Sequence, residues 1–281
     1  MDSGFFIKVN SMNYYEIGGV TLASCYRLPS FGAFACEPKN ADVTLEKTEE
    51  QPSQGQDLFS GTIVHRRQVG GWFYHSPMTD RRGLFVSSDY ARLRMLGESG
   101  PEMDIREEWM VRVALECMLA RRGYVSLHAA AIEVGGNAYA FSGPSGIGKS
   151  TRVRAWIQAF GDGLISGDRP LVGVRDQMLY GVPWDGKEQC FRNVSFPLKA
   201  ICEVRRSDTV SVSDMDFQQR RELLMSQCFI PMWDTETALI QMENIVHLAK
   251  GAEIVRVFCG PSARDAAQLY DLLQRVRHSD L

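Results

Sequence analysis

The sequence predicts an α/β protein in two parts: a β-rich N-terminal region over residues 1–100, then an α/β domain over residues 101–281 built on a mixed sheet. Three observations carry this. Up to about residue 90 the chain consists of short apolar and aromatic runs between turn-forming residues. After residue 100, patterns with helical spacing alternate with short strand-like runs. Last, Gly135-Gly136-Asn137 is a hairpin signal between two strand candidates, so the second strand runs antiparallel to the first.

In the N-terminal region the strand candidates are residues 5–9, 14–17, 20–22, 43–45, 61–64 and 71–74, and their spacing suggests antiparallel pairing. Residues 46–56 are polar, contain Pro52 and Gly55, and read as an exposed loop. His65, Arg66, Arg67 and His75 read as solvated strand residues rather than a catalytic set. Ser99-Gly100-Pro101 punctuates the chain. Residues 105–122 then read as a helix with Trp109, Met110, Val113, Cys117 and Ala120 on one face. Residues 125–134 form one strand candidate and 138–142 the next, on either side of the hairpin. Further on, 198–204 and 253–258 read as strands, and 217–228, 235–249 and 263–277 as helices. Pro261 and Ser262 introduce the last helix, with Asp265 three residues beyond the cap.

The strand 138–142 leads into Gly143-Pro144-Ser145-Gly146-Ile147-Gly148-Lys149-Ser150, followed by Thr151 and a helical pattern that ends at Gly161. This matches G-x-x-x-x-G-K-[ST] at every position, in the strand–turn–helix context the motif requires. Glycines let the backbone curl so that successive N–H groups point inward, and the helix N-terminus adds partial positive charge. Gly143, Ser145, Gly146, Ile147, Gly148, Lys149, Ser150 and Thr151 are therefore the expected phosphate-binding residues of a nucleoside triphosphate site. Lys149 would reach the outer phosphates, and the Ser150 hydroxyl would ligate Mg²⁺.

Composition narrows the partners. A net charge of −3 gives no electrostatic case for nucleic acid or for an anionic membrane. No apolar run is long enough to span a bilayer, and the first residues carry neither a basic nor an apolar leader, so a cytoplasmic protein is expected. The 7 cysteines are scattered without a C-x-x-C pair, which argues against a zinc knuckle or a disulfide framework. A homo-oligomer is compatible with the sequence but not specified by it.

A strand carrying His128, a hairpin, and then a loop of the form G-x-S-G-I-G-K-S resemble the HPr serine kinase/phosphorylase family. That family shares its nucleotide-binding core with ATP-dependent phosphoenolpyruvate carboxykinase. The resemblance covers residues 123–175 and extends to Gly163-Leu164-Ile165-Ser166-Gly167-Asp168, where the family has a strand ending in two aspartates. Residues 180–188 are similar to a segment of small HPr-kinase-like proteins that modify peptides, the lasso-peptide kinases among them. The resemblance implies an HPr-kinase/PEP-carboxykinase-like P-loop core, ATP and Mg²⁺ as cofactors, and transfer of the γ-phosphate to a hydroxyl.

Residue by residue, it implies that Asp168 acts as base or Mg²⁺ ligand, and that His128 bonds a phosphate or tunes that carboxylate. Lys187 would neutralise the transferred phosphate, with Arg192 and Arg264 as weaker candidates. Gly167 replaces the first aspartate of the family's pair, which weakens the case for reverse phosphorolysis and leaves the metal to Ser150 and Asp168. The family's C-terminal signature for docking HPr is absent, so the expected acceptor is a serine of another peptide or small protein, with a small-molecule hydroxyl as the alternative. A nucleotide-binding regulatory protein that transfers no phosphate is the rival from a different class.

Overall fold

The computed structural model describes residues 12–60, 62–97, 100–184, 190 and 192–275. The expected strand at 5–9 and Lys187 lie outside them. The chain divides into two units, Met1–Leu115 and Glu116–Leu281.

The first unit is a sheet of eight described strands: β1 (Asn13–Ile17), β2 (Val20–Ser24), β3 (Val43–Thr48), β4 (Asp57–Ser60), β5 (Ile63–Gln68), β6 (Gly71–Ser76), β7 (Thr79–Ser87) and β8 (Arg92–Leu96). Their spatial order is β1-β2-β3-β8-β7-β6-β5-β4. The expected antiparallel arrangement holds for β1–β2 and through the β4–β8 meander, but β3 pairs parallel with both β2 and β8. The reason is topological. The chain between β2 and β3 includes a 3-10 helix, Pro29–Phe34, and the meander β4–β7 separates β3 from β8. Each insertion is long enough to return the chain to the same end of the sheet. The strands β4, β7 and β8 each carry charged residues beside their apolar ones, and the sequence reading does not single them out.

Helix α1 (Ile105–Arg121) straddles the division between the units. In the first unit, its first turn receives Ser30 N–H and Oγ on the Glu108 carboxylate, at 3.1 and 2.6 Å. In the second, Glu116 accepts from Ser126 Oγ at 2.6 Å, and Asn244 Nδ2 donates to Ala120 O at 2.7 Å. Of the predicted apolar face, Met110, Val113, Cys117 and Ala120 are buried. Trp109 is exposed at 44 %, with the Arg112 guanidinium over its ring.

The second unit holds β9 (Tyr124–Ser126), β10 (Ala129–Val134), β11 (Asn137–Ser142), α2 (Lys149–Phe160), β12 (Leu164–Ser166), β13 (Leu171–Gly173), β14 (Met178–Tyr180), β15 (Ser195–Arg206), β16 (Ser211–Asp214), α3 (Phe217–Gln227), α4 (Thr235–Gly251), β17 (Ile254–Cys259) and α5 (Ala263–Arg275). The sheet runs β12-β10-β11-β15-β14-β13-β9, and β17 joins β15 and β16. It is mixed, as expected. β10 and β11 are antiparallel through a two-residue turn with Gly135 and Gly136 at φ 62° and 79°, while β11, β15 and β17 run parallel.

Side chains alternate across this sheet. On one face Ala129, Ala131, Ala138, Ala140 and Ile201 pack in a cluster with Leu224, Ile245 and Leu248 of α3 and α4. On the other, Ile132, Tyr139, Phe141 and Cys202 pack with Trp156 of α2 and Leu269 of α5. A strand covered on both faces is apolar throughout, which is why 138–142 is apolar at every position but the last. Among the described residues, no helix is long and apolar enough to cross a membrane.

One expected element is divided. Residues 125–134 are two strands, β9 and β10, with Leu127 and His128 between them. β9 pairs with β13 and β10 with β11 and β12, so the chain changes partners at His128.

Candidate nucleotide and acceptor site

The loop 143–148 leaves the C-terminal end of β11 and enters α2. Gly143, Gly146 and Gly148 have φ of 142°, 79° and 106°, values a side chain resists. A Cβ on Gly148 would also lie 2.3 Å from Arg152 Nη1. Gly148 is the N-cap of α2 and no side chain caps this end, so the first-turn amides are left for a ligand.

Two arginines bind the outer carbonyls of the loop. Arg206, the last residue of β15, donates to Gly146 O at 2.6 Å and Ile147 O at 3.3 Å. Buried Arg152 donates to Cys259 O at 2.6 Å and reaches Ile147 O and Gly148 O at 3.5 Å. Carbonyls held outward in this way favour amides turned inward.

Lys149 is buried and its ammonium donates to Gly143 O at 2.9 Å and Pro144 O at 3.4 Å. Burial pushes its pKa down, and the Asp168 carboxylate opposes that shift. Ser150 is half-buried, whereas Ser145, Gly146 and Thr151 are exposed. Uncapped amides and an ammonium bonded to backbone carbonyls are groups with which a phosphate's acceptor oxygens would pair.

His128 and Asp168 meet beside this loop. Ala129 N–H donates to Asp168 O at 2.7 Å and Leu127 N–H to Pro170 O at 3.1 Å, so 168–170 lies along 127–129. On the other side His128 N–H donates to Gln227 O at 2.8 Å and Phe229 N–H to Ser126 O at 3.0 Å. The His128 carbonyl accepts from Ser142 Oγ, the last residue of β11, at 3.0 Å. The imidazole is thereby held with Nε2 at 3.4 Å from Asp168 Oδ1 and Nδ1 at 3.1 Å from Gln227 Oε1. Burial lowers its pKa, and Lys149 and Arg169 push the same way. Asp168 and the bond to Gln227 oppose them.

The structure therefore brings His128, Asp168 and Lys149 into one electrostatic neighbourhood at the end of β11. Gln227 and Arg169 belong there too, and sequence reasoning missed both. Arg169 directly follows Asp168, but Gln227 lies at the end of an α3 pattern that reads as structural. Arg206 was missed as well, since nothing in β15 marks it. Arg192 is exposed and donates to Leu164 O at 2.6 Å, tying it to the β12 edge. Arg264 lies in the first turn of α5. Lys187 falls outside the described residues.

Among the described residues, no group of three or more His, Cys, Asp or Glu could hold a metal ion. Mg²⁺ bound chiefly through substrate phosphates and one or two protein oxygens needs no such group, and Ser150 and Asp168 are of the right chemistry. No protein-family model matches the chain, and comparison with curated proteins finds no similar sequence. What fold and site define is an α/β protein with mixed sheets, whose glycine-rich loop adjoins a buried lysine and a carboxylate–imidazole pair.

Proposed function

We propose that the chain is an ATP-dependent phosphotransferase with an HPr-kinase-like P-loop core, acting on a hydroxyl, with a serine of a peptide or small protein as the first candidate acceptor. The observation that carries this reading is the convergence of Lys149 with His128 and Asp168, residues far apart in sequence, at the end of the strand that feeds the loop. Loop amides and Lys149 bind the β- and γ-phosphates of ATP as substrate. The acceptor oxygen attacks the γ-phosphorus and forms the new O–P bond. The bond from that phosphorus to the β,γ-bridging oxygen breaks, its electron pair leaves on ADP, and the hydroxyl proton passes to Asp168. Ser150 and Asp168 would hold Mg²⁺, which would neutralise charge on the phosphates. Arg206 and Arg152 hold the loop carbonyls of residues 146–148.

A regulatory protein that binds nucleotide without transferring phosphate is the second reading. Gly167, standing where the resembled family has a carboxylate, favours it. Incubation with ATP, Mg²⁺ and a panel of acceptors, serine-containing peptides first, separates the two by a mass gain of one phosphate. The Asp168→Asn variant should bind ATP within a few-fold of wild type while transfer falls by about 10²-fold or more. Equal transfer by mutant and wild type would remove Asp168 from the mechanism. Tight ATP binding by the wild type with no transfer to any acceptor would favour the regulatory reading.

A further inference from the structure

Arg152 is a buried cation without a counter-charge. It is the fourth residue of α2 and 5 % exposed, and no carboxylate pairs with it among the described residues. Its Nη2 donates to Cys259 O at 2.6 Å, Nη1 lies 3.5 Å from both Ile147 O and Gly148 O, and the buried Nε has no partner. Asp265, whose charge reaches the Cys259 thiol, instead accepts from Ser262 N–H and Oγ at 3.2 and 2.6 Å. A helix N-terminus disfavours cations, yet α2 begins with buried Lys149, has Arg152 three residues on, and carries no acidic residue in its first turn. A buried charge left unpaired is costly. Water screens the exposed Arg206, which grips the same part of the loop, but not Arg152.

We propose that Arg152 is a positioning residue that makes the loop select oligophosphates: its charge, acting through the peptide groups that follow Ile147 and Gly148, is balanced when a chain of phosphates fills the loop. Those two peptide groups carry the N–H of Gly148 and of Lys149. A carbonyl facing a cation leaves the N–H of its own peptide group a stronger donor, so the guanidinium behind the loop strengthens the donors at the head of α2. A triphosphate carries more charge than a monophosphate and gains more from this field. Arg152 touches no phosphate in this scheme; it acts through the loop backbone. The glycine-rich motif specifies nothing beyond Ser150, so it leaves this position open. The inference rests on the nucleotide loop of the proposed function but not on phosphate transfer.

The test is calorimetric titration of the full chain with ATP, AMP, inorganic tripolyphosphate and inorganic phosphate. The wild type should bind ATP and tripolyphosphate about 10²-fold or more tighter than AMP and phosphate. Arg152→Gln, which keeps donor groups and loses the charge, should weaken ATP and tripolyphosphate by about 10- to 50-fold and AMP by less than about 3-fold. Arg152→Lys, which keeps the charge, should stay within about 5-fold of wild type for all four. In phosphate transfer, Arg152→Gln should raise KM for ATP with kcat within a few-fold, because the total charge on the phosphates does not change on the way to the transition state. A wild type that binds tripolyphosphate no tighter than phosphate would overturn the proposal. So would an ATP-to-AMP ratio that Arg152→Gln leaves unaltered, or one lost equally in Arg152→Lys. Should Arg152→Gln not fold, Arg152→Met is read in the same way, and failure of both to fold would make the residue structural and overturn the proposal as well. The expected ratios in a protein that transfers no phosphate would leave the role of Arg152 standing and remove the phosphotransferase reading.

Discussion

His65 illustrates how far one residue's environment departs from what its letter suggests. The sequence marks it and His75 as solvated strand residues, but both are buried, and His65 is 1 % exposed, edge-on to the Tyr74 ring at 4.4 Å between centroids. Burial, and then like-charge repulsion from His75, lower its pKa to about 3. The unfolded chain takes up a proton near the ordinary histidine value of about 6.5, while the folded chain does not. The stabilisation is therefore complete above that pH and is lost as pH falls from there toward 3, by about 2 kcal/mol at pH 5. Thermal unfolding between pH 7 and 5 should show a shallower acid slope for His65→Phe than for wild type. Parallel slopes would mean that His65 is not buried in neutral form. The same scale governs Asp168 and Gln227. Asp168 was singled out in the sequence only through the resemblance of residues 163–168 to the family's aspartate-ended strand, and the structure sets its carboxylate beside His128. Gln227 was not, because it is 99 residues from the ring it orients and nothing local distinguishes it from Gln218 or Gln219 in the same helix.

Among elements, α2 shows what fixes the loop. Trp156 is 1 % exposed, with Tyr139 and Phe141 of β11 at 4.9 and 5.1 Å between ring centroids, and Tyr270 of α5 at 5.9 Å. This cluster seats the helix on the strand that feeds the loop, so the loop's two ends are anchored to one another through a packed core. Among the described residues the indole N–H has no hydrogen-bond partner, so the packing is what the substitution tests. Trp156→Ala should cost about 3–5 kcal/mol in chemical denaturation, and Trp156→Phe less than about 1.5 kcal/mol. A comparable loss in both variants would point to a bond made by the indole nitrogen instead. The amphipathic pattern of 152–160 predicted this helix, and the hairpin turn at Gly135-Gly136 predicted its strand's pairing. The division of 125–134 at His128 was not predicted, because an apolar run has no mark where it changes partners.

For the whole molecule, the candidate chemistry sits on a sheet covered by α2 and α5 on one face and α3 and α4 on the other, within the unit Glu116–Leu281. ATP at 100 times its dissociation constant should stabilise the folded state by about 2.7 kcal/mol. Hydrogen exchange with and without ATP and Mg²⁺ should slow at residues 126–129, 143–152, 166–169 and 227–229, with little change over 12–97. Protection centred on 12–97 would move the nucleotide site to the first unit. The mixed pairing of that unit's sheet, with β3 parallel to two neighbours, is a property of the whole chain path that short-range spacing does not contain.

The sequence by itself determined the α/β class, the hairpin before the loop, the glycine-rich loop with Lys149 at the head of α2, and the places of β15, β17 and the helices α3, α4 and α5. These follow from local constraints: side-chain periodicity, positive φ that glycine tolerates, and turns two residues long. Tertiary structure alone decided that His128 lies between Asp168 and Gln227, that Arg206 holds the loop's outer carbonyls, and that β3 is a parallel strand. Those contacts depend on which distant segments the sheet sets side by side. Long-range pairing is chosen by burial over the whole unit, and no short window of residues records it.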